Sequence, residues 1–356
     1  MDRPKFKGRG AGSNPPNRFE RLHIEENEDT YANTEINGGG ERKVETVFFK
    51  DYSRSVIAKN DSEDIFFDYS VNPYRGCEHG CVYCYARPTH EFLGFSSGVD
   101  FESKIMVKQN AAQLLREEFN KKKYIPKLIM ISGDTDPYQP VENKLKITRS
   151  VLEVCLEYGN PVSIITKNSL ILRDLDIIKE MSGLNLISVM LSITTLNKEL
   201  TSKMEPRTTV PERRLNVVEK MAEAGIPVGV NIAPVIPGLN DNEIPEILKL
   251  SAERGASFAG YTMLRLPYSI KELFIEWLER ELPDRKEKIL NKIREMRGGK
   301  LNEAEIGKRF KGQGEQADAI RKLYGLSCKK YRLNERDIDL TTEHFKRRTG
   351  IQLEIF

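Results

Sequence analysis

"GCEHGCVYCYA", residues 76–86, holds three of the chain's five cysteines, Cys77, Cys81 and Cys84, in a C-x3-C-x2-C spacing. Gly76 and Gly80 let the backbone turn closely round a compact object, so one loop can aim three thiolates at one place. Soft thiolates select iron–sulfur clusters, zinc or copper(I). Structural zinc closes with four ligands at finger or ribbon spacing, and the rest of the chain does not supply them. His79 and His90 lie nearby, but neither makes a standard zinc spacing. Cys155 falls on the apolar face of a predicted helix, as a small hydrophobe does. Cys328 stands alone at a helix end in "LYGLSCKKY". Three protein ligands therefore serve one site, as in a four-iron cube with one iron uncovered. That iron is the counterpart of the open position of a catalytic zinc.

From about Ile65 onward, short apolar runs alternate with helical stretches. "IFFDYSV" (65–71), "LIMISG" (128–133), "VSIITK" (162–167), "LISVMLSIT" (186–194), "VGVNIAPV" (228–235) and "FAGYTML" (258–264) predict six strands. Between them, Ile147, Val151, Val154, Cys155 and Tyr158 share one helical face that Gly159 terminates. Leu215, Val218 and Met221 repeat the design, and "DNEIPEILKLSAERGA" does so again. Strands alternating with helices imply βαβ units and a parallel sheet. Six units fall short of the eight of a full barrel, which leaves a partial (β/α)6 barrel or a doubly wound sheet.

The organisation read from this pattern is a flexible or docked N-terminal arm over residues 1–45, an α/β body over 46–268, and a helical C-terminal extension over 269–356. The arm is rich in Gly, Pro and Asn and begins basic. The extension breaks its charged helices near Pro283 and carries a basic, Gly-rich turn from Gly299 to Gly314. At 356 residues and 39% hydrophobic content the chain can bury a sizeable core, and its net charge of +3 is too small to argue for nucleic acid. No apolar run reaches the 18 or so residues of a membrane span, and no apolar leader opens the chain. Few, clustered cysteines suit a reducing compartment, so the cytoplasm is the expected location and no membrane partner is expected.

The C-x3-C-x2-C spacing with Tyr83 before the last cysteine resembles the signature of the radical S-adenosylmethionine (SAM) superfamily. The resemblance implies a partial (β/α)6 TIM-type barrel with the cysteine loop after its first strand. It also implies a [4Fe–4S] cluster on Cys77, Cys81 and Cys84, with SAM chelated to the open iron and Tyr83 beside it. An electron from the cluster would cleave SAM to a 5′-deoxyadenosyl radical that abstracts hydrogen from an unidentified substrate. A low-potential donor of the flavodoxin or ferredoxin type would supply that electron.

Ligands of βα barrels gather at the C-terminal strand ends, and the resemblance implies a role for each end. "SGDTDPYQP" (132–140) would receive the SAM amino group through Ser132, Gly133, Asp134 or Thr135, although the family's usual Gly-Gly-Glu is absent. Lys167 would pair with the SAM carboxylate and Ser192 with carboxylate or ribose. Asn231 and "APVIPGLND" would border the adenine. Glu205 and Arg207, in "KMEPRTT", stand where an ion pair to cofactor or substrate would fall.

"NPYRGCEHGCVYCYAR", "GDTDPYQP" and "TK", in that order, are similar to the spore photoproduct lyase-like, or DNA repair photolyase-like, branch over roughly residues 45–325. "GRGAGSNPPNRFE", "RLP" and "GGK…GQG" resemble its members of undefined substrate. The lyase takes its hydrogen atom from a cysteine shortly after the cluster, whereas the next cysteine here is Cys155 on a buried face. Repair of spore photoproduct is therefore not implied. A different reading is a nucleic-acid-binding or repair protein whose basic segments, "RPKFKGRG", "EKILNKIREMRGGK" and "GKRFKGQG", contact DNA or RNA. The Gly299–Gly314 segment is expected to act as a substrate-facing lid.

Overall fold

The computed structural model describes residues 5–19, 36–37, 41–42 and 44–348. Six parallel strands lie side by side in chain order: β1 (Tyr69–Val71), β2 (Ile129–Ile131), β3 (Val162–Thr166), β4 (Ile187–Ser192), β5 (Val228–Val235) and β6 (Phe258–Met263). A doubly wound sheet reverses its strand order at a switch point. No reversal occurs among these six, so the sheet curls one way as a partial barrel.

Helices α1 (Ala111–Asn120), α2 (Ile147–Tyr158), α3 (Leu175–Gly183), α4 (Pro211–Glu223) and α5 (Ile244–Glu253) make the crossovers. Their apolar faces meet Val162, Ile164, Ile187, Val189, Val228 and Val230 in the main core. By strand alternation the other sheet face carries Ser70, Ser163 and Ser188. Ser163 and Ser188 are joined Oγ to Oγ at 2.9 Å. This face thus mixes small polar side chains with larger apolar ones, since Met130 stands in register between Ser70 and Ser163, and Ile165 beside Met190.

The first strand is shorter than its sequence run. Ile65 is held in a turn by its N–H to the Ser62 carbonyl at 3.1 Å, and pairing begins only at Tyr69. A short antiparallel strand, Ile57–Lys59, covers that edge of the sheet. A second, three-stranded sheet unites Val47–Lys50, Lys104–Val107 and Tyr74–Arg75 beside the cysteine loop.

The C-terminal helices α6 (Ile270–Glu281), α7 (Lys286–Glu295) and α8 (Gly314–Lys330) follow, with Pro283 between the first two. α6 and α7 share one core with Val82, Tyr83 and Met204, so they pack directly behind the cysteine loop. Trp277, fully buried, donates its indole N–H to the Lys203 carbonyl at 2.9 Å. Burial of each such large side chain contributes roughly 1.5–3 kcal/mol. Among the described residues no helix is long and apolar enough to cross a membrane.

Candidate active site around the cysteine loop

The loop leaves β1 at the C-terminal mouth of the sheet and is fixed from both sides. The Cys77 N–H donates to the Phe101 carbonyl at 2.9 Å, and the Cys84 N–H to the Cys81 carbonyl at 3.2 Å. Gln139 grips the loop with both amide atoms: its Oε1 accepts from the Glu78 N–H at 2.9 Å, and its Nε2 donates to the Gly76 carbonyl at 3.3 Å. Both loop glycines have positive φ, 78° at Gly76 and 67° at Gly80. A Cβ at Gly80 would lie 2.7 Å from the Glu102 carboxylate.

Glu102 is the hub of the first buried network. Arg87, with no exposed surface, donates from Nε and Nη2 to the Cys81 carbonyl at 3.0 and 2.9 Å, and from Nη2 to Glu102 at 2.5 Å. The same carboxylate accepts the Gly10 and Ala11 N–H groups at 3.0 and 2.8 Å, while Arg9 reaches the Glu102 carbonyl at 2.5 Å. Residues 9–11 of the arm are therefore built into the underside of the loop. Only glycine fits at position 10, because a Cβ there would stand 1.8 Å from the Gly80 carbonyl oxygen.

A second network lies on the barrel side. The Tyr83 hydroxyl donates to Glu205, and Thr194 donates to the same oxygen at 2.6 Å. Arg214 pairs with the other carboxylate oxygen, and the Lys167 ammonium stands 3.3 Å from the first. Burial alone would push Glu205 up, but Arg214 and Lys167 together hold it well below the usual carboxylate range. Lys167 also donates to Thr194 at 3.2 Å and to the Ala233 carbonyl at 3.1 Å, and sits 5.8 Å from the Tyr83 ring centroid. The lysine expected to meet a cofactor carboxylate is thus already paired with a protein one.

Asp136 is the third fixed point. It accepts from Thr166 Oγ1 and the Lys167 N–H, both at 2.7 Å, and faces His79 Nδ1 at 3.4 Å. Burial would lower the His79 imidazole, but Asp136 and then Cys77 raise it to about 10. The other His79 nitrogen lies 3.2 Å from the Asn168 side chain. His79 therefore acts as a charged strut. His90 is fully buried against Phe95 and Phe101, with ring centroids 5.4 and 5.5 Å away.

At the β2 end, Ser132 and Gly133 turn with φ of 144° and 117°, a region where a serine is strained. Asn72 holds the next N–H groups, of Asp134 and Thr135, at 3.0 and 3.2 Å. The Asp134 side chain is exposed and makes no hydrogen bond or ion pair among the described residues. Ser192 and Asn231 are register partners across β4 and β5, and Asn231 pairs onward with Gly260 on β6. The structure therefore brings Tyr83, Lys167 and Glu205 into direct contact, and sets Ser192 beside Asn231. Asp134 stands apart on the β2 side. Arg207 docks on the cysteine loop, pairing with Glu78 at 3.2 Å and donating its backbone N–H to the His79 carbonyl at 3.3 Å.

Sequence reading passed over Arg87, Glu102, Gly10, Asp136, Thr194 and Arg214. They act through buried hydrogen bonds and ion pairs with separations such as 9 residues for Arg214–Glu205, 15 for Arg87–Glu102 and 92 for Gly10–Glu102, and no helix or strand period encodes these pairs.

The thiols suit a cluster. All five cysteines are free, and Cys77, Cys81 and Cys84 lie near enough for Cys81 to sense the other two. Burial pushes the Cys81 thiol well up, and Glu205 adds to it. Metal binding therefore has to displace protons. Among the described residues no three Cys, His, Asp or Glu side chains converge on a single-ion point. A cube gives each thiolate its own iron, so three thiols round a glycine-turned loop need not meet at one point.

Residues 71–251 match the radical SAM superfamily. An uncharacterised protein of Mycobacterium tuberculosis is 36% identical over 220 residues, 61% of this chain. The chain spans 65% of that relative's length. An uncharacterised protein of Methanocaldococcus jannaschii is 32% identical over 224 residues, 63% of this chain and 80% of that one. Among solved structures, a spore photoproduct lyase mutant shares the fold with a TM-score of 0.58 at 18% identity, over 80% of this chain and 79% of the other. Another mutant of that lyase, with bound AdoMet and dinucleoside spore photoproduct, gives 0.56 at 17% identity, over 81% and 79%. The chain belongs to the radical SAM superfamily, enzymes that pair a [4Fe–4S] cluster with S-adenosylmethionine.

Proposed function

We propose that Cys77, Cys81 and Cys84 hold a [4Fe–4S] cluster with one iron left for SAM, and that the chain uses the pair to abstract hydrogen from a substrate. The observation carrying this reading is the trio of thiols in one glycine-turned loop at the barrel mouth. Cys155 and Cys328 are buried elsewhere, on α2 and α8. When bound, the cluster supplies one electron to the SAM sulfonium, and an external low-potential donor of flavodoxin or ferredoxin type restores it.

The chain's own residues position and shield. Asp134, which makes no hydrogen bond or ion pair among the described residues, takes the cationic SAM amino group from the β2 side. Ser192 and Asn231 line the adjoining rim. Lys167 and Glu205 hold Tyr83 against the site, and the barrel lumen receives the substrate while the packed helices exclude bulk water. Spore photoproduct is not the proposed substrate, because Cys155 has no exposed surface and faces the α2 core.

A nucleic-acid role for the basic arm has less support. Arg9 is spent on Glu102 and Val44 carbonyls, and Arg18 pairs with Glu91.

The test is anaerobic: reduced, reconstituted protein mixed with SAM should yield 5′-deoxyadenosine. An intact reduced cluster with bound SAM and no 5′-deoxyadenosine would refute the enzymatic reading.

A further inference from the structure

The sheet is open between β6 and the Ile57–Lys59 edge, and the Gly-rich basic segment bridges that opening. The Met263 N–H donates to the Phe310 carbonyl at 2.9 Å, which ties the segment to the end of β6. Arg309 grips Asp64 with two nitrogens, one at 2.8 Å, which ties it to the residues before β1. Arg265 and Arg297 lie by this bridge and its own Arg309, near enough that Arg265 and Arg309, and Arg297 and Arg265, repel, with Asp64 offsetting part of the charge on Arg265.

Their charges are poorly balanced by the protein. Arg309 takes Asp64. Arg297, 3% exposed, donates only to the Leu264 and Lys308 carbonyls, at 2.7 and 3.2 Å. Glu303, the other carboxylate felt there, is exposed and accepts the Ala304 and Glu305 N–H groups of its own turn. Arg265 makes no hydrogen bond or ion pair among the described residues, and its Nε is buried without a partner. Its guanidinium is flanked by the rings of Phe310 at 4.8 Å and Tyr85 at 5.8 Å. Tyr85 directly follows Cys84 and is anchored through its hydroxyl to the Gly133 carbonyl.

A half-buried guanidinium held among like charges is unfavourable unless a ligand completes it. The planar fork of arginine matches phosphate and carboxylate oxygens, and the flanking rings keep water from one side of it. We infer that Arg265, supported by Arg297 and Arg309, holds an anionic group of the substrate, a phosphate or a carboxylate, at the open side of the barrel next to the cysteine loop. The inference rests on the proposed function for its site. It explains why the Gly-rich segment crosses that opening: it supplies Phe310 and Arg309 to the site.

The test uses calorimetric titration of the reconstituted full chain with SAM and, separately, with three anion probes: inorganic phosphate, thymidine 5′-monophosphate and succinate. These probes separate a free phosphate, a nucleotide phosphate and a carboxylate. Wild type should bind at least one of them. Arg265→Gln should weaken that binding about 10- to 100-fold, as loss of a charged hydrogen bond does, and Arg265→Lys should restore part of it. Should Arg265→Gln fold poorly, phenylglyoxal labelling of wild type is read by mass spectrometry instead, and the bound anion should protect Arg265. Titrating the cluster-free Cys77→Ala variant separates the two readings, because the anion should still bind there if only the cluster assignment fails. Equal anion binding by wild type and Arg265→Gln, or absence of any binding or protection in wild type, would overturn the inference. So would a loss in Arg265→Gln confined to SAM, which would assign the guanidinium to the cofactor.

Discussion

Gly10→Ala offers a sharp test of how the arm supports the cysteine loop. The new Cβ would stand 1.8 Å from the Gly80 carbonyl oxygen, a backbone atom with no freedom to swing aside. An ordinary carbon–oxygen contact needs about 1.5 Å more, and the arm has to retreat by that much. The Gly10 and Ala11 N–H bonds to Glu102, at 3.0 and 2.8 Å, then stretch beyond hydrogen-bond length. Each is a bond to a charged group worth about 1.5–3 kcal/mol, so roughly 3–6 kcal/mol acts against docking. Arg87 is left alone with the buried Glu102, and its grip on the Cys81 carbonyl loosens. Hydrogen exchange followed by mass spectrometry should show faster exchange in residues 9–19 and 76–87, with β3 to β5 unchanged. Iron should also leave the reconstituted variant faster under chelation. Gly183→Ala, which meets nothing within 4 Å at a helix end, is the control and should behave as wild type. Wild-type exchange in both segments of Gly10→Ala would refute the reasoning.

Three further outcomes are expected. Glu205→Gln strands Arg214, 1% exposed, beside Lys167 with no anion; the apoprotein should lose roughly 3–5 kcal/mol in urea unfolding, and an unchanged midpoint would count against the network. Lys167→Ala removes a charged partner of Glu205, which holds Tyr83 against the site, and should weaken SAM binding about tenfold while leaving the iron content intact; normal SAM binding would remove Lys167 from the cofactor site. Burial lowers the His90 imidazole from 6.5 to about 4. Between those pH values the unfolded chain carries a proton there that the folded chain does not. Stability should therefore be full above pH 6.5 and fall by up to ~3 kcal/mol as pH drops towards 4. His90→Leu should flatten that acid limb, and an identical slope in both proteins would contradict it.

The sequence showed the strands and the cysteine loop because both are local signals. Apolar runs of six to nine residues at βα spacing marked β2 to β6 to within two residues at either end. β1 was overextended because Ile65 and the phenylalanines after it look strand-like, while Ser62 draws Ile65 into a turn. The sequential strand order decided between barrel and doubly wound sheet, which alternation alone leaves open. The supports of the site were hidden for a different reason. Glu102 meets Gly10 across 92 residues and Tyr83 meets Glu205 across 122, and no periodicity encodes such pairs. "GRGAG" reads as part of a flexible or docked arm without any sign of where it would dock; Arg9 and Gly10 are buried because the backbone at Gly10 passes against Gly80. The pairing of Lys167 with Glu205 was likewise hidden, since Glu205 reaches it from the segment after β4, 38 residues on in the chain.

Iron and acid-labile sulfide analysis of anaerobically reconstituted wild type and its five single cysteine-to-alanine variants tests the central claim most directly. About four irons and four sulfides per chain are expected in wild type, Cys155→Ala and Cys328→Ala, as cubane ligation requires. Cys77→Ala, Cys81→Ala and Cys84→Ala should each lose the cluster. Stoichiometric zinc without sulfide in wild type, or a full cluster in any of those last three variants, would contradict the assignment.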